Sequence, residues 1–287
     1  MAEVGYFNVK FLPRKTHIDL KDFSMIDSMV DSVNRLSGII KASVKSYTPI
    51  AFSSGEFYSK EGKVFYPLKR ENGKIVIPGS SIKGTIRTYA EALSYSCHLD
   101  RPCGDAKDGL CIDCSMFGTS GREFSTMGKV HFNDTFIDSS VKIKDVGMPR
   151  QFKGNGNQIK LYSHKAKENG QKVFSYEAID AGNVFEFEIQ FHGMDKKELG
   201  LLVLAMGCGK DNSFGVKFGH GKNEGYGSAK IEIKELWIRP KEIFGKIERK
   251  DLSILDEYTD EYLKSVNRDV LGNLDQIKSD WGDAFNG

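Results

Sequence analysis

The stretch "NVFEFEIQFHGMDKKELGLLVLAM", residues 183–206, holds two different periods back to back. Val184, Phe185, Phe187, Ile189 and Phe191 alternate with Glu186, Glu188 and Gln190. That two-residue period is a half-buried strand with one wet face. After Met194 the spacing changes: Leu199, Leu202, Val203 and Met206 share one stripe of a helix. Asp195 stands at its N-cap and Glu198 at the capping-box position. A strand running straight into a helix is one part of a βαβ unit, and its counterparts lie on either side.

Three more segments alternate as strands: 37–52 through Ile40, Ala42 and Val44, 129–137 through Val130, Phe132 and Phe136, and 228–238, "SAKIEIKELWI". A second helix is predicted over 80–95, with Ile82, Ile86, Tyr89, Ala90 and Leu93 at helical spacing. The order strand, helix, strand, strand, helix, strand predicts an α+β chain. Its core is a modified ferredoxin-like (RRM-like) unit, one antiparallel sheet with helices on one side. That core spans 39–240 and is interrupted at 96–126 and 138–182, stretches long enough to be functional. Residues 1–38 add a strand (Tyr6 to Leu12) and a helix (about 20–36) packed on the core. Residues 241–287 read as an acidic helical C-terminal appendage.

The chain has 287 residues, 39% hydrophobic and 28% charged, enough for one large core or two small ones. Net charge is only +2, but it is unevenly placed: 241–287 carry 7 Lys/Arg against 11 Asp/Glu, so the positive excess lies upstream. Lys69, Arg70, Lys74, Lys83 and Arg87 crowd one short stretch with a single acid, Glu71. Such an excess suits a polyanion, although a solvated charged face is the plainer meaning. No apolar run is long enough for a membrane helix and the N-terminus lacks a signal pattern, so we expect a cytoplasmic protein without a membrane partner. In a reducing compartment, Cys97, Cys103, Cys111 and Cys114 point to metal rather than disulfides. Four thiolates close a tetrahedral site, so a structural Zn2+ is expected, with His98 as a substitute ligand.

Two stretches suggest an anion site. In "IPGSSIKGTIR", 77–87, Pro78 and Gly79 open a helix, with Ser80 or Ser81 expected to cap it. Free first-turn N–H groups, the two hydroxyls, Lys83 and Arg87 would suit a phosphodiester, while a well-capped surface helix is the plain alternative. In "GVKFGHGKNEGYGSAKI", 215–231, Gly219, Gly221 and Gly225 surround His220 and Lys222. Glycines let a backbone approach a ligand and aim N–H groups into a concavity, and a plain flexible hairpin is the alternative. The loop is neither a Walker A sequence nor a dinucleotide fingerprint. Tyr162 and His164, among Lys160, Lys165 and Lys167, could stack a base or touch phosphate.

Taken together, "IPGSSIKGTIR", "CIDCSMFG", "GKVHFNDTFI" and "GHGKNEGYGSAKI" resemble the RAMP superfamily, RNA-binding proteins of CRISPR effector complexes, over about 37–238. The likeness is nearest to backbone or end-capping subunits of type III complexes. It implies an RRM-like core that holds CRISPR guide RNA by its sugar-phosphate backbone, and partners that include target RNA through the guide and other effector subunits. It also implies that Gly79, Ser80, Ser81, Lys83 and Arg87 face the RNA with Gly219, His220, Gly221, Lys222 and Gly225. Some members carry a zinc insertion at the position matching Cys97–Cys114, and 138–182 matches a thumb-like loop. RNA-cutting members resemble one another in a loop Asp upstream of the Pro-Gly-Ser-Ser motif. Here Phe65 stands near that place, and Glu56 and Glu61 are the nearest acids. The resemblance therefore implies a structural, non-cutting subunit. The alternative is an endoribonuclease acting through Glu56 or Glu61, or through His17, His164 or His220.

Overall fold

Alternation in 183–191 becomes an eleven-residue strand, Val184–Met194, at the centre of the molecule's main sheet. It pairs antiparallel with Leu36–Ser46 on one side and Val130–Phe132 on the other. Ser228–Ile238 pairs antiparallel beyond Leu36–Ser46, and the short strands Val216–Lys217 and Glu248–Lys250 add to its outer side. Register runs from Val184 opposite Lys45 to Phe191 opposite Gly38, which turns Ile40, Ala42, Val44, Phe187 and Ile189 to one face. The computed structural model describes residues 5–24, 35–97, 101–137, 140–149, 159–168, 171–240 and 245–285. Within them the chain is a mixed α+β fold with antiparallel sheets and C-terminal helices.

The helices Gly79–Ala92 and Lys196–Ala205 supply the other half of the core through Ile82, Ile86, Leu199 and Leu202, all fully buried. Lys196–Ala205 is buried from Glu198 onward because a second helix, Ser253–Lys264, covers its outer side. The two backbones touch at Gly200, where a Cβ would stand 2.1 Å from the Tyr258 carbonyl oxygen. The last helix, Arg268–Phe285, lays Trp281 against Gly215 with no room for a Cβ, edge-on to Tyr47 and His164. Residues 241–287 therefore do not hang off the core as an appendage; Leu255, Tyr258, Leu274, Ile277 and Trp281 belong to it. Acidic composition describes only the wet side of these helices.

Other boundaries also move. The 37–52 strand ends at Ser46, and beyond Pro49 the residues Ile50, Ala51 and Ser53 make isolated bridges to Ile179, His220 and Leu68. The 129–137 segment breaks at Asn133–Asp134, and its second part, Thr135–Ile137, pairs with Lys74–Ile77 in a side sheet. Of the 20–36 helix, Leu20–Ser24 is helical, Leu36 already belongs to a strand, and 25–34 lie outside the described residues. The interrupting stretches are not structureless. Residues 96–126 hold the helix Ile112–Phe117 and a small hairpin. Residues 138–182 hold Ile143–Met148, Ile159–Tyr162 and Phe174–Ile179. Ile159–Tyr162 pairs with Tyr6–Val9, and Phe174–Ile179 pairs with Ile143–Met148 and Lys63–Tyr66.

Candidate functional site

At the start of Gly79–Ala92 the N-cap is Pro78, not Ser80 or Ser81, and Pro78 offers no side-chain bond. The cap comes from another element: the Gly79 N–H donates to Asp134 Oδ1 at 2.8 Å. Gly79 is glycine because the Phe132 carbonyl oxygen lies 2.1 Å from where a Cβ would be. A fixed carboxylate thus occupies the dipole end that was expected to bind an anion, and Lys69 sits 3.5 Å from its other oxygen. Ser80 is exposed and Ser81 half-buried, with its N–H bonded to the Pro78 carbonyl. Lys83 is half-buried and makes no ion pair among the described residues; burial and the nearby Arg87 push its pKa down.

Arg87 turns inward, contrary to its assignment to RNA. Its guanidinium lies 2.8 Å from Asp113 Oδ2 and 3.1 Å from Glu91 Oε1, and it donates to the Gly118 carbonyl. Asp113 is fully buried, which pushes its pKa well up, and apart from this ion pair its oxygens have no partner. Arg87 therefore bolts the helix to the cysteine knuckle, where its Nη2 also lies 3.8 Å from Cys114 Sγ.

The four sulfurs of Cys97, Cys103, Cys111 and Cys114 gather within 4.8 Å of one another, close enough to share one metal ion. Cys103 Sγ accepts from the Cys111 N–H at 3.3 Å and from Arg14 Nε at 3.1 Å, and Cys111 Sγ accepts from the Cys114 N–H at 3.4 Å. Bonds from the Cys111, Cys114 and Cys97 thiols hold Cys103 far below the usual thiol range. Arg14 and Arg87 bring guanidinium groups to Cys103 and Cys114, and each is also paired with a carboxylate, Arg14 with Asp108 and Arg87 with Asp113 and Glu91. The cluster is compatible with zinc. His98 lies outside the described residues.

A second cluster, missed in the sequence, lies beneath it. Glu198 is completely buried; its Oε1 accepts from Lys129 Nζ and Ser115 Oγ, both at 2.5 Å. His17 Nε2 lies 3.0 Å from Asp195 and 3.4 Å from Glu198. His17, Asp195 and Glu198 could in principle hold a metal, but the ammonium of Lys129 already serves as the cation. Burial alone would depress His17; the bonds from Asp195 and Glu198 outweigh it and raise the pKa to about 9. A folded pKa above the free value of about 6.5 stabilises the fold fully below that pH and progressively less as pH rises through about 9. We therefore expect the His17 contribution, read as the parent's melting temperature minus that of His17→Gln at each pH, to shrink between pH 6.5 and 9, whatever the opposing rise from buried Lys217 does to the parent curve.

The glycine loop is likewise turned inward. Gly219, Gly221 and Gly225 are left-handed, with φ of 72°, 69° and 86°. The carbonyls of Ala51 and Ala166, and the side chains of Tyr226 and Met148, fill the space their Cβ atoms would need. Its N–H groups are also used: His220 donates to Ala51, Glu224 and Tyr226 to Gly221, and Gly227 to Pro49. The glycines serve close protein packing rather than an open cradle. Lys217, buried at the loop base, donates to the Lys222 and Tyr226 carbonyls, and burial pushes it down to about 7. His164 is buried too and pushed down to about 3, bonded to Ser228 and Gly215, so it is not available to a ribose.

Lys222, at the edge of the loop, is half-buried, and burial pushes its pKa down. Its Nζ lies 5.7 Å over the Tyr162 ring, and Lys160 Nζ lies 5.3 Å from Tyr162 and 3.8 Å from Tyr6. Tyr6 and Tyr162 are cross-strand partners, a pairing that no local pattern reveals. This basic and aromatic patch and the helix mouth border one ladder. The His220 N–H donates to Ala51, the Lys69 N–H to Phe52, and the Val76 N–H to Lys69, just before Pro78. Glu61 sits exposed at the turn of the hairpin between Tyr58 and Tyr66 and Glu56 is exposed just before it, both outside the two clusters above, and Phe65 is buried.

The RAMP superfamily model matches residues 45–230, which take in the helix mouth, the cysteine knuckle and the glycine loop. The chain is a RAMP superfamily protein. That superfamily is associated with CRISPR–Cas effector complexes. Among curated proteins none matches the chain. The RAMP match ends before the C-terminal helices, and no described helix is long and apolar enough to cross a membrane.

Proposed function

We propose that this RAMP protein is a guide-RNA-binding structural subunit of a type III CRISPR interference complex. It works in the cytoplasm beside other effector subunits and meets target RNA through the guide. The sheet order, second, third, first, fourth strand of the double βαβ, supports a modified ferredoxin-like core. Cys97, Cys103, Cys111 and Cys114 would hold a structural zinc that fixes the knuckle against Arg87.

One observation carries the RNA reading: Lys222 and Lys160, far apart in sequence, converge on Tyr162 and Tyr6. Cations beside aromatic faces suit a single strand, whose backbone is anionic and whose bases stack. Ser80, Ser81 and Lys83 would add a second contact along the same ladder. The glycine amides and Arg87 hold these side chains in place rather than touching phosphate.

Contacts of this kind give nearly sequence-independent, salt-sensitive binding. Fluorescence anisotropy with single-stranded RNA over a salt series tests it. Replacing Lys160 and Lys222 by Ala should weaken binding at least tenfold and flatten the salt slope by about 1.4, the value for two lost phosphate contacts on a single strand. Equal affinity of variant and parent at every salt concentration would overturn the assignment.

A further inference from the structure

A row of rings runs from the hairpin at 57–66 to the glycine loop. Phe57 and Tyr66 have centroids 5.8 Å apart, Tyr66 and Tyr176 stack at 4.6 Å and 14°, and Tyr176 meets His220 at 5.3 Å and 31°. Three segments contribute, the hairpin two rings and the Phe174–Ile179 strand and glycine loop one each, so only the fold assembles the row. Lys63–Tyr66 pairs in parallel with Phe174–Ile179, which puts Tyr66 directly beside Tyr176. The Ala51 carbonyl fixes the His220 amide at 2.9 Å.

The inner rings, Tyr66 and Tyr176, are half-buried and turn their faces to each other. The outer rings are open: Phe57 is 67% exposed and His220 is exposed as well. Tyr176 rests on a small core of Ala51, Val146, Met148, Ala178 and Tyr226. The row is thus supported from below, and a ligand would lose little freedom in ordering it. A lysine lies close in sequence to each end. Lys222 follows His220 by two residues, and Lys63, exposed on the hairpin, makes no ion pair among the described residues. Burial and then Lys222 push the His220 pKa down, which leaves a neutral imidazole suited to stacking.

We infer that this row is a base-stacking platform for single-stranded RNA, with an unpaired base seated on the outer face of Phe57 at one end and of His220 at the other. It rests on the RNA reading above and adds to it: the basic patch grips the backbone, and the row holds bases. An aromatic row with lysines nearby, stacked at its centre and tilted by 49° and 31° at its two ends, favours a nucleic acid over a protein partner, because bases have π faces and the strand between them is anionic.

The test uses the full chain and a single-stranded RNA in which one abasic nucleotide is placed at each position in turn. For the parent, an abasic site at a stacked position should weaken binding five- to hundredfold, the range for one lost base–aromatic contact. Phe57→Leu and His220→Leu should each lose a similar factor with intact RNA, lose little more with abasic RNA, and keep the parent's salt slope. Phe57 and His220 are exposed, so these variants should fold, and an unchanged melting curve checks it.

The result that overturns the inference alone is RNA binding by both variants equal to the parent, with no abasic penalty anywhere. Loss of self-association or subunit binding by the variants at unchanged RNA affinity would also overturn it and make the row a protein surface. Absence of RNA binding by the parent would remove the functional reading itself.

Discussion

Stripping bound metal from the protein with a strong chelator should lower its melting temperature by about 10–20 °C, and Cys114→Ser should do the same without chelator. A metal on four thiolates contributes about 10–16 kcal/mol in small zinc peptides, where binding and folding are one event. Here the knuckle is backed by a fold with its own core, so a smaller share is expected, about 5 kcal/mol, which corresponds to the shift above for a chain of this size. The effect should spread beyond the loop. Cys114 lies next to Arg87, whose guanidinium joins Gly79–Ala92 to Asp113 and Gly118, and Ser115 of the same short helix donates to Glu198. Hydrogen exchange should therefore speed up first in Ile112–Phe117 and then at the C-terminal turns of Gly79–Ala92. A metal content near one zinc per chain, lost in Cys114→Ser, would establish the cause. A chelator that leaves the melting curve unmoved would show that the four thiols hold together without a metal.

The second large effect belongs to the buried ion network. Glu198→Ala should destabilise the chain by about 3–5 kcal/mol, measured by urea denaturation. It leaves Lys129, whose side chain is only 3% exposed, without its closest anion, and strips His17 of one of two carboxylates. It also breaks the capping box, in which Asp195 and Glu198 exchange backbone and side-chain bonds at 2.9 Å, worth about 1 kcal/mol more. Against a typical total of about 5–15 kcal/mol, that is a large share. Lys129→Met combined with Glu198→Leu should recover most of the loss, because a buried pair replaced by apolar groups of similar size is often nearly neutral. A single-variant loss below about 1 kcal/mol would mean that water reaches the network.

The capping box shows how far local signals carry. Asp195 and Glu198 were readable as a cap because both partners lie within four residues. The other oxygen of Glu198, committed to Lys129 and Ser115, was not, since those residues are 69 and 83 positions away. The same division runs through the candidate site. The four cysteines were legible from spacing and compartment, and they do gather. The helix at 80–95 was legible from its apolar stripe, but not the origin of its cap: Asp134 belongs to a segment that reads as one strand and in fact breaks there. Arg87 looked like a phosphate ligand because it lies four residues from Lys83. Its partners, Asp113 and Gly118, come from the knuckle, and no local pattern reveals that pairing.

The sequence by itself determined the four main strands, the two helices between them and the residues these turn to the core, because periods of two and 3.6 are properties of neighbouring positions. It also determined that a thiol cluster and a glycine-rich loop exist. Only the tertiary structure decided which polar groups remain for a ligand. Backbone donors at Gly79 and in the glycine loop are taken by Asp134, Ala51, Gly221 and Pro49. A buried donor must find a partner, and the nearest one in space is often far along the chain. What remains is a set of side chains that strand pairing brought together, the half-buried Lys160, Lys222 and Tyr162 and the exposed Tyr6.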